Sequence, residues 1–262
     1  MKVAVVQSEP RFGRVRENLD GALETLSSVD ADLFVFPELA LSGYLFESAA
    51  EARELAQEPQ APEFDALAEA ARSRGASVVI GFAERSGDDL FNSSMLLAAD
   101  GRMEVYRKIH LFDSEKEIFL PGNEPAKVVE VGGVWIGMMI CFDWIFPELA
   151  RSLALDGADI LCHSANLVLP YCQDAMITRC LENRVFAATA NRVGTEARAG
   201  VELTFTGRSE IVAPDGQVLV RASDGMQEVL VADIDPAAAR EKWVTPKNHV
   251  HEDRRPELYH LD

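Results

Sequence analysis

The chain has 262 residues, of which 48% are apolar and 26% charged, and a length that buries roughly 70–75% of its unfolded surface without help from disulfides or metal. Its 25 basic and 43 acidic side chains leave a formal net charge of −18, which argues against nucleic acid or an anionic membrane surface as a partner. No apolar stretch approaches the ~18 residues that a membrane span requires.

Short apolar runs alternate with longer amphipathic stretches. The pattern predicts strands over 3–7, 33–37, 77–83, 91–98, 102–107, 135–140, 160–164, 186–191, 204–212 and 229–234. It predicts helices over 15–28, 62–74, 147–156 and 172–184. Asp65-Ala66-Leu67-Ala68-Glu69-Ala70-Ala71-Arg72 is rich in strong helix formers, and Gly75 stands where a left-handed cap would end that helix. Pro62 and Pro147 fit first turns, where a missing N–H costs little. The Asp-Gly turns at Asp100-Gly101 and Asp215-Gly216 predict hairpins, so the sheet is mixed. Strands alternating with helices point to a layered α/β fold. No linker, low-complexity run or internal repeat divides the chain, which reads as one domain over 1–262. Glycine-rich phosphate motifs are absent.

The N-terminus runs directly into a strand pattern, without the apolar core or cleavage site of a signal peptide. The four cysteines, Cys141, Cys162, Cys172 and Cys180, form no CxxC pair and read as thiols of a cytoplasmic protein.

Four residues could carry chemistry. Cys141 follows a strand and precedes a helix, where backbone dipoles would favour a thiolate; the alternative is a buried core cysteine. Glu38 closes an apolar strand at the carboxyl edge of the sheet, or is one loop acid among many. Lys108 is one of only six lysines and lies between apolar residues, which also suits a snorkelling side chain. Glu115 does not stand out from its charged neighbours.

Taken together, these residues sit in segments that resemble a known family. Phe36-Pro37-Glu38, Tyr106-Arg107-Lys108 and Ile140-Cys141-Phe142-Asp143 resemble the signature segments of the nitrilase-like carbon–nitrogen hydrolases. The likeness extends through Pro121-Gly122, Glu182-Asn183-Arg184, Asn191-Arg192 and Gly207-Arg208-Ser209 to Arg255-Pro256-Glu257. It implies a four-layer α-β-β-α sandwich with mixed sheets. It also implies a thiol-dependent hydrolase that converts a small amide or nitrile to a carboxylic acid and ammonia. Catalysis would fall to Glu38, Lys108 and Cys141, with Glu115 as a second acid, chosen over Glu117 because it stands four residues before Phe119. No metal or organic cofactor is called for. The family also implies a homodimer or higher homo-oligomer, with a C-terminal tail over about 240–262 packing across the interface.

The N–H of Phe142 suits a second oxyanion donor. Trp144, Asn166 and Tyr171 follow strand ends and are candidates to line the substrate pocket. His249 and His251 lack further ligands at metal-like spacing, and His163 on an apolar strand reads as structural. The same motifs suit an acyl transferase that uses the same thioester, and the fold alone would suit a non-catalytic binding module.

Overall fold

The computed structural model describes residues 1–260. Its first half contains β1 (Lys2–Gln7), α1 (Val15–Ser28), β2 (Leu33–Val35), α2 (Ala49–Leu55), α3 (Pro62–Arg72), β3 (Ser77–Ser86), β4 (Asp89–Leu97), β5 (Met103–Arg107) and α4 (Glu115–Ile118). The second half contains β6 (Val128–Val131), β7 (Val134–Ile140), α5 (Pro147–Leu155), β8 (Ile160–Ala165), α6 (Cys172–Asn183), β9 (Phe186–Asn191), β10 (Thr195–Arg198), β11 (Val201–Thr204), β12 (Glu210–Val212), β13 (Val218–Arg221) and β14 (Glu228–Asp233). A small hairpin, β15 (Trp243–Thr245) with β16 (Asn248–His249), lies in the tail.

Two six-stranded sheets, ordered β14-β1-β2-β3-β4-β5 and β6-β7-β8-β9-β12-β13, pack face to face. In that reading direction both have the same succession of pairings: antiparallel, parallel, parallel, antiparallel, antiparallel. Side-chain alternation explains the layering. Val3 and Val5 of β1 enter the core shared by the sheets, while Ala4 and Val6 point to Leu19 and Leu26 of α1 and Phe64 and Leu67 of α3. α5 and α6 cover the outer face of the second sheet through Leu149, Leu153, Met176 and Cys180. Each such side chain, fully buried, contributes about 1.5–3 kcal/mol of apolar transfer. The result is the expected four-layer α-β-β-α sandwich.

Both Asp-Gly hairpins form, as β4–β5 and β12–β13. Pro62 and Pro147 each open a helix. Gly75 adopts φ +68, and the Ala76 N–H reaches back to the Ala71 carbonyl, closing α3 in the Schellman manner. Two sequence expectations need correction. The run 33–37 is regular only to Val35, because Pro37 has no N–H and Leu39 turns left-handed at φ 48. The run 204–212 is not one strand. β11 ends at Thr204 and β12 begins at Glu210, and the backbone between bonds to Leu167, Gly194, Arg192 and Ser223 instead of a sheet neighbour.

α2 was not anticipated, although its signal is present: Ser48 accepts the Glu51 N–H at 3.2 Å in a Ser-x-x-Glu pattern. Among the described residues no helix is long and apolar enough to cross a membrane.

Candidate active site

The carboxyl ends of β2, β7 and β8 open on one side of the sandwich, where layered α/β folds collect ligands. Glu38 lies just past β2. Its segment continues along β3 through Phe36 N–H to Val79 O and Ala40 N–H to Gly81 O, both 2.8 Å. That crossing requires glycine at 81: a Cβ there would sit 2.4 Å from the Glu38 Cα. Lys108 follows β5, its N–H bonded to Asn92 O and its carbonyl accepting the Gly122 N–H, each at 2.8 Å. A Cβ on Gly122 would lie 2.3 Å from the Arg107 carbonyl oxygen, which gives the Pro121-Gly122 pair a physical role.

Lys108 is fully buried, and its Nζ lies 2.6 Å from Glu38 Oε1 and 2.8 Å from each oxygen of Glu115. Asn92 Nδ2 donates to the same Glu38 oxygen at 2.7 Å, while Glu38 Oε2 has no hydrogen-bond partner. Tyr44 donates its hydroxyl to Glu115 Oε1 at 2.8 Å, and the Phe112 N–H reaches Oε2 at 3.2 Å. Glu117 points to solvent. Cys141 begins a short 3-10 turn, Cys141–Ile145, with φ 41, a left-handed conformation that few non-glycine residues adopt. The structure thus joins Glu38, Lys108 and Glu115 from three separate segments, close enough that their charges act on Cys141.

The Carbon-nitrogen hydrolase family model matches residues 2–242. The chain belongs to the carbon-nitrogen hydrolase family. It is 43% identical to a nitrilase of Pyrococcus abyssi over 99% of both chains. It is 31% identical to the 2-oxoglutaramate amidase of Bacillus subtilis over 98% of both. Among solved structures, a variant of the Nesterenkonia AN1 amidase from the nitrilase superfamily superposes with a TM-score of 0.80 at 26% identity, covering 98% of this chain and 95% of that one. A second structure of that amidase shows acrylamide added at the active-site cysteine.

The electrostatics of this carbon-nitrogen hydrolase site follow from burial. Desolvation works against the Lys108 charge, but the neighbouring carboxylates of Glu115 and Glu38 outweigh it and hold the lysine pKa above its usual value. Burial raises the Glu38 pKa, and the attraction of Lys108 only partly offsets this. Burial, then the Glu38 charge, pushes the Cys141 thiol well up. The sequence expectation of a thiolate stabilised by backbone dipoles is therefore corrected. Both burial and the neighbouring carboxylate disfavour the thiolate form of Cys141.

Cys141 opens onto a small cleft walled by Phe112, Phe142, Trp144, Leu167, Val168 and Leu169. Asn166 also lines it; the residue is 2% exposed and neither side-chain polar atom has a partner. Phe142, Trp144 and Asn166 thus reach the cleft. Tyr171 does not: it is 61% exposed at the start of α6, outside the residues that line the cleft. A position after a strand end fixes only the neighbourhood of a residue.

Several residues of the site were not singled out from the sequence. Asp143 braces the Cys141 turn: its carboxylate accepts the Tyr106 hydroxyl at 2.7 Å, the Ile140 N–H at 2.9 Å and lies 2.8 Å from His110 Nδ1. Tyr44, which donates to Glu115, is itself braced. The buried Glu196 accepts the N–H groups of Tyr44 and Leu45, and the buried Arg192 pairs with Glu196. His163 is structural, as read from its strand: its Nε2 bonds the Cys141 carbonyl at 3.0 Å. Among the described residues no group of three or more His, Cys, Asp or Glu side chains is arranged to hold a metal, His249 and His251 included.

Proposed function

We propose that this hydrolase cleaves the C–N bond of a small amide, or attacks a nitrile, through a thioester on Cys141, releasing ammonia and a carboxylic acid. The observation that carries this reading is the unpartnered Oε2 of the buried Glu38, in a cluster whose charges act directly on Cys141. In the first step Sγ attacks the substrate carbon and its proton passes to Glu38. A carboxylate with a raised pKa is a stronger base for that transfer. The Lys108 ammonium has three N–H donors; one serves Glu38, one serves Glu115, and the third faces the developing oxyanion together with the Phe142 N–H. With an amide, collapse expels ammonia, which takes the proton from Glu38; with a nitrile, the thioimidate first adds one water and then expels ammonia to give the same thioester. Water then attacks the thioester as Glu38 takes its proton, and the acid leaves as the thiol re-forms. Relatives named as a nitrilase and an amidase support the substrate class.

Ammonia release from short amides and nitriles tests the reading, together with mass analysis of the peptide carrying Cys141. A slowly hydrolysed amide should leave its acyl group there, and Cys141→Ala should abolish turnover in a folded protein. Absence of both ammonia and adduct would favour a binding module; transfer of the acyl group to added amine in preference to water would favour a transferase.

The same reading makes residues 1–262 one hydrolase domain in the cytoplasm, with its four cysteines as thiols. It also makes the chain a homodimer or larger homo-oligomer, joined in part by the tail over about 240–262. Trp243, Val244, Leu258 and Tyr259 of that tail are all more than 45% exposed. Sedimentation of the intact chain and of one truncated after Lys242 tests this: only the truncated chain should run as a monomer.

A further inference from the structure

From the walls of the cleft we infer that the enzyme takes substrates whose acyl group is neutral and apolar, and rejects those that carry a carboxylate or ammonium on it. The inference rests on Cys141 being the point of acylation. Around that sulfur, Phe112, Phe142, Trp144, Leu167, Val168 and Leu169 present an almost wholly apolar wall to a bound side chain. The one uncharged polar side chain among them is Asn166, whose amide has both a free donor and a free acceptor. That pair can hold a carboxamide or the carbonyl being attacked; it cannot neutralise a full charge.

Polar side chains close to the cleft that could meet a substrate charge are already committed. Lys108 is paired with both Glu38 and Glu115. Arg179, behind Trp144, donates to the Trp144 carbonyl at 3.3 Å and pairs with Glu182 at 3.0 Å. His110 faces Asp143 and stacks on Phe146 with centroids 3.7 Å apart. A substrate carboxylate or ammonium in this cleft would lose water and gain no counter-charge. Asn166 would then orient the reacting amide while the apolar wall sorts what is attached to it.

Three amides of matched length test this: butyramide, succinamate with a terminal carboxylate, and 4-aminobutyramide with a terminal ammonium. Wild-type kcat/KM is read from ammonia release, and binding from ligand-observed NMR on Cys141→Ala, which does not depend on turnover. Butyramide should exceed both charged analogues by ~10²-fold or more in kcat/KM, and it alone should bind the variant at matched concentration. If butyramide binds but no amide is hydrolysed, the acyl class stands and the hydrolase reading falls. Equal or better turnover or binding of either charged analogue overturns the inference, and so does failure of all three to bind and react. A second variant reads the wall directly. Leu169 is 42% exposed at the lip, so Leu169→Arg leaves the core intact. It should raise the succinamate-to-butyramide ratio of kcat/KM by about tenfold; an unchanged ratio would show that the wall is not the selector.

Discussion

Both carboxylate oxygens of Glu115 lie 2.8 Å from the ammonium nitrogen of Lys108. This two-oxygen grip holds the lysine from one side and leaves Glu38 to touch it with Oε1 alone. The division of labour between the two acids follows. In the proposed mechanism Glu115 balances and aims the charge, while Glu38 keeps Oε2 free for proton transfer.

Glu115→Gln should lower kcat by about 10²-fold, the scale of a small misplacement of a reacting group. It should also lower Tm, because a buried ammonium loses one of its two counter-charges. Glu117→Gln, on the solvent side of the same helix, should leave kcat within about twofold and stability within ~0.5 kcal/mol. Steady-state kinetics on the two variants, with thermal melts, separates the assignments. An impaired Glu117 variant beside a fully active Glu115 variant would reverse them.

Lys108→Ala should cost ~10²–10³-fold in kcat, as expected for loss of an oxyanion donor. Lys108→Arg should not restore it. The guanidinium is planar and larger, and the fully enclosed position offers no room for its fork. Near-wild-type kinetics for Lys108→Arg would remove the lysine from the chemistry.

The raised pKa of Glu38, caused first by burial, should set the acid side of the pH profile if this residue is the base. The base must be ionised to accept the thiol proton. Activity should therefore fall as pH drops through a value above 4.5, the ordinary glutamate figure. The acid limb of kcat/KM for a neutral amide measures this directly. A limb at or below 4.5 would assign the ionisation to another group.

Gly81 and Gly21 should respond to alanine with opposite signs. At Gly81 the new Cβ would meet backbone atoms of Pro37, Glu38 and Leu39 at 2.4–2.7 Å, so Gly81→Ala should destabilise by about 1–3 kcal/mol. It should also displace Glu38 and depress kcat. Gly21 is exposed within α1, with nothing within 4 Å of the position a Cβ would take. Gly21→Ala should stabilise by about 0.5–1 kcal/mol with activity unchanged. Denaturant melts and initial rates on both variants check the pair.

His163 adds an acid-sensitive contribution to stability. Burial lowers its pKa from 6.5 to about 4, so between these values the unfolded chain binds the extra proton and the folded one does not. Stability is then lost as pH falls from about 6.5 towards 4, by up to about 3 kcal/mol for this group. His163→Gln keeps an N–H for the Cys141 carbonyl but does not titrate. The difference in unfolding free energy between wild type and variant should slope with pH across that window and flatten above it; a flat difference throughout would show that His163 does not titrate as buried.

Local patterning reached far into this fold. α1 and β9 begin and end where their periodicity says, and the Asp-Gly turns close the hairpins. Patterning failed where the backbone bonds to distant partners. Phe205–Ser209 looks like strand, but its N–H groups go to Gly194, Leu167, Arg192, Ser223 and the Gln7 side chain. Nothing within those five residues encodes partners up to 202 positions away.

The site divides the same way. Residue types, order and the strand-to-helix position of Cys141 were legible in the sequence, because a local turn and a short motif carry them. That Glu115 faces inward while Glu117 does not also followed, by resemblance, from spacing to Phe119. The tertiary structure alone decided that Tyr171 lies outside the residues lining the cleft, that Asp143 and Tyr44 brace Cys141 and Glu115, and that burial works against the thiolate. Each of these depends on burial and on the charges of segments remote in sequence, and both are properties of the packed layers, not of any stretch of chain.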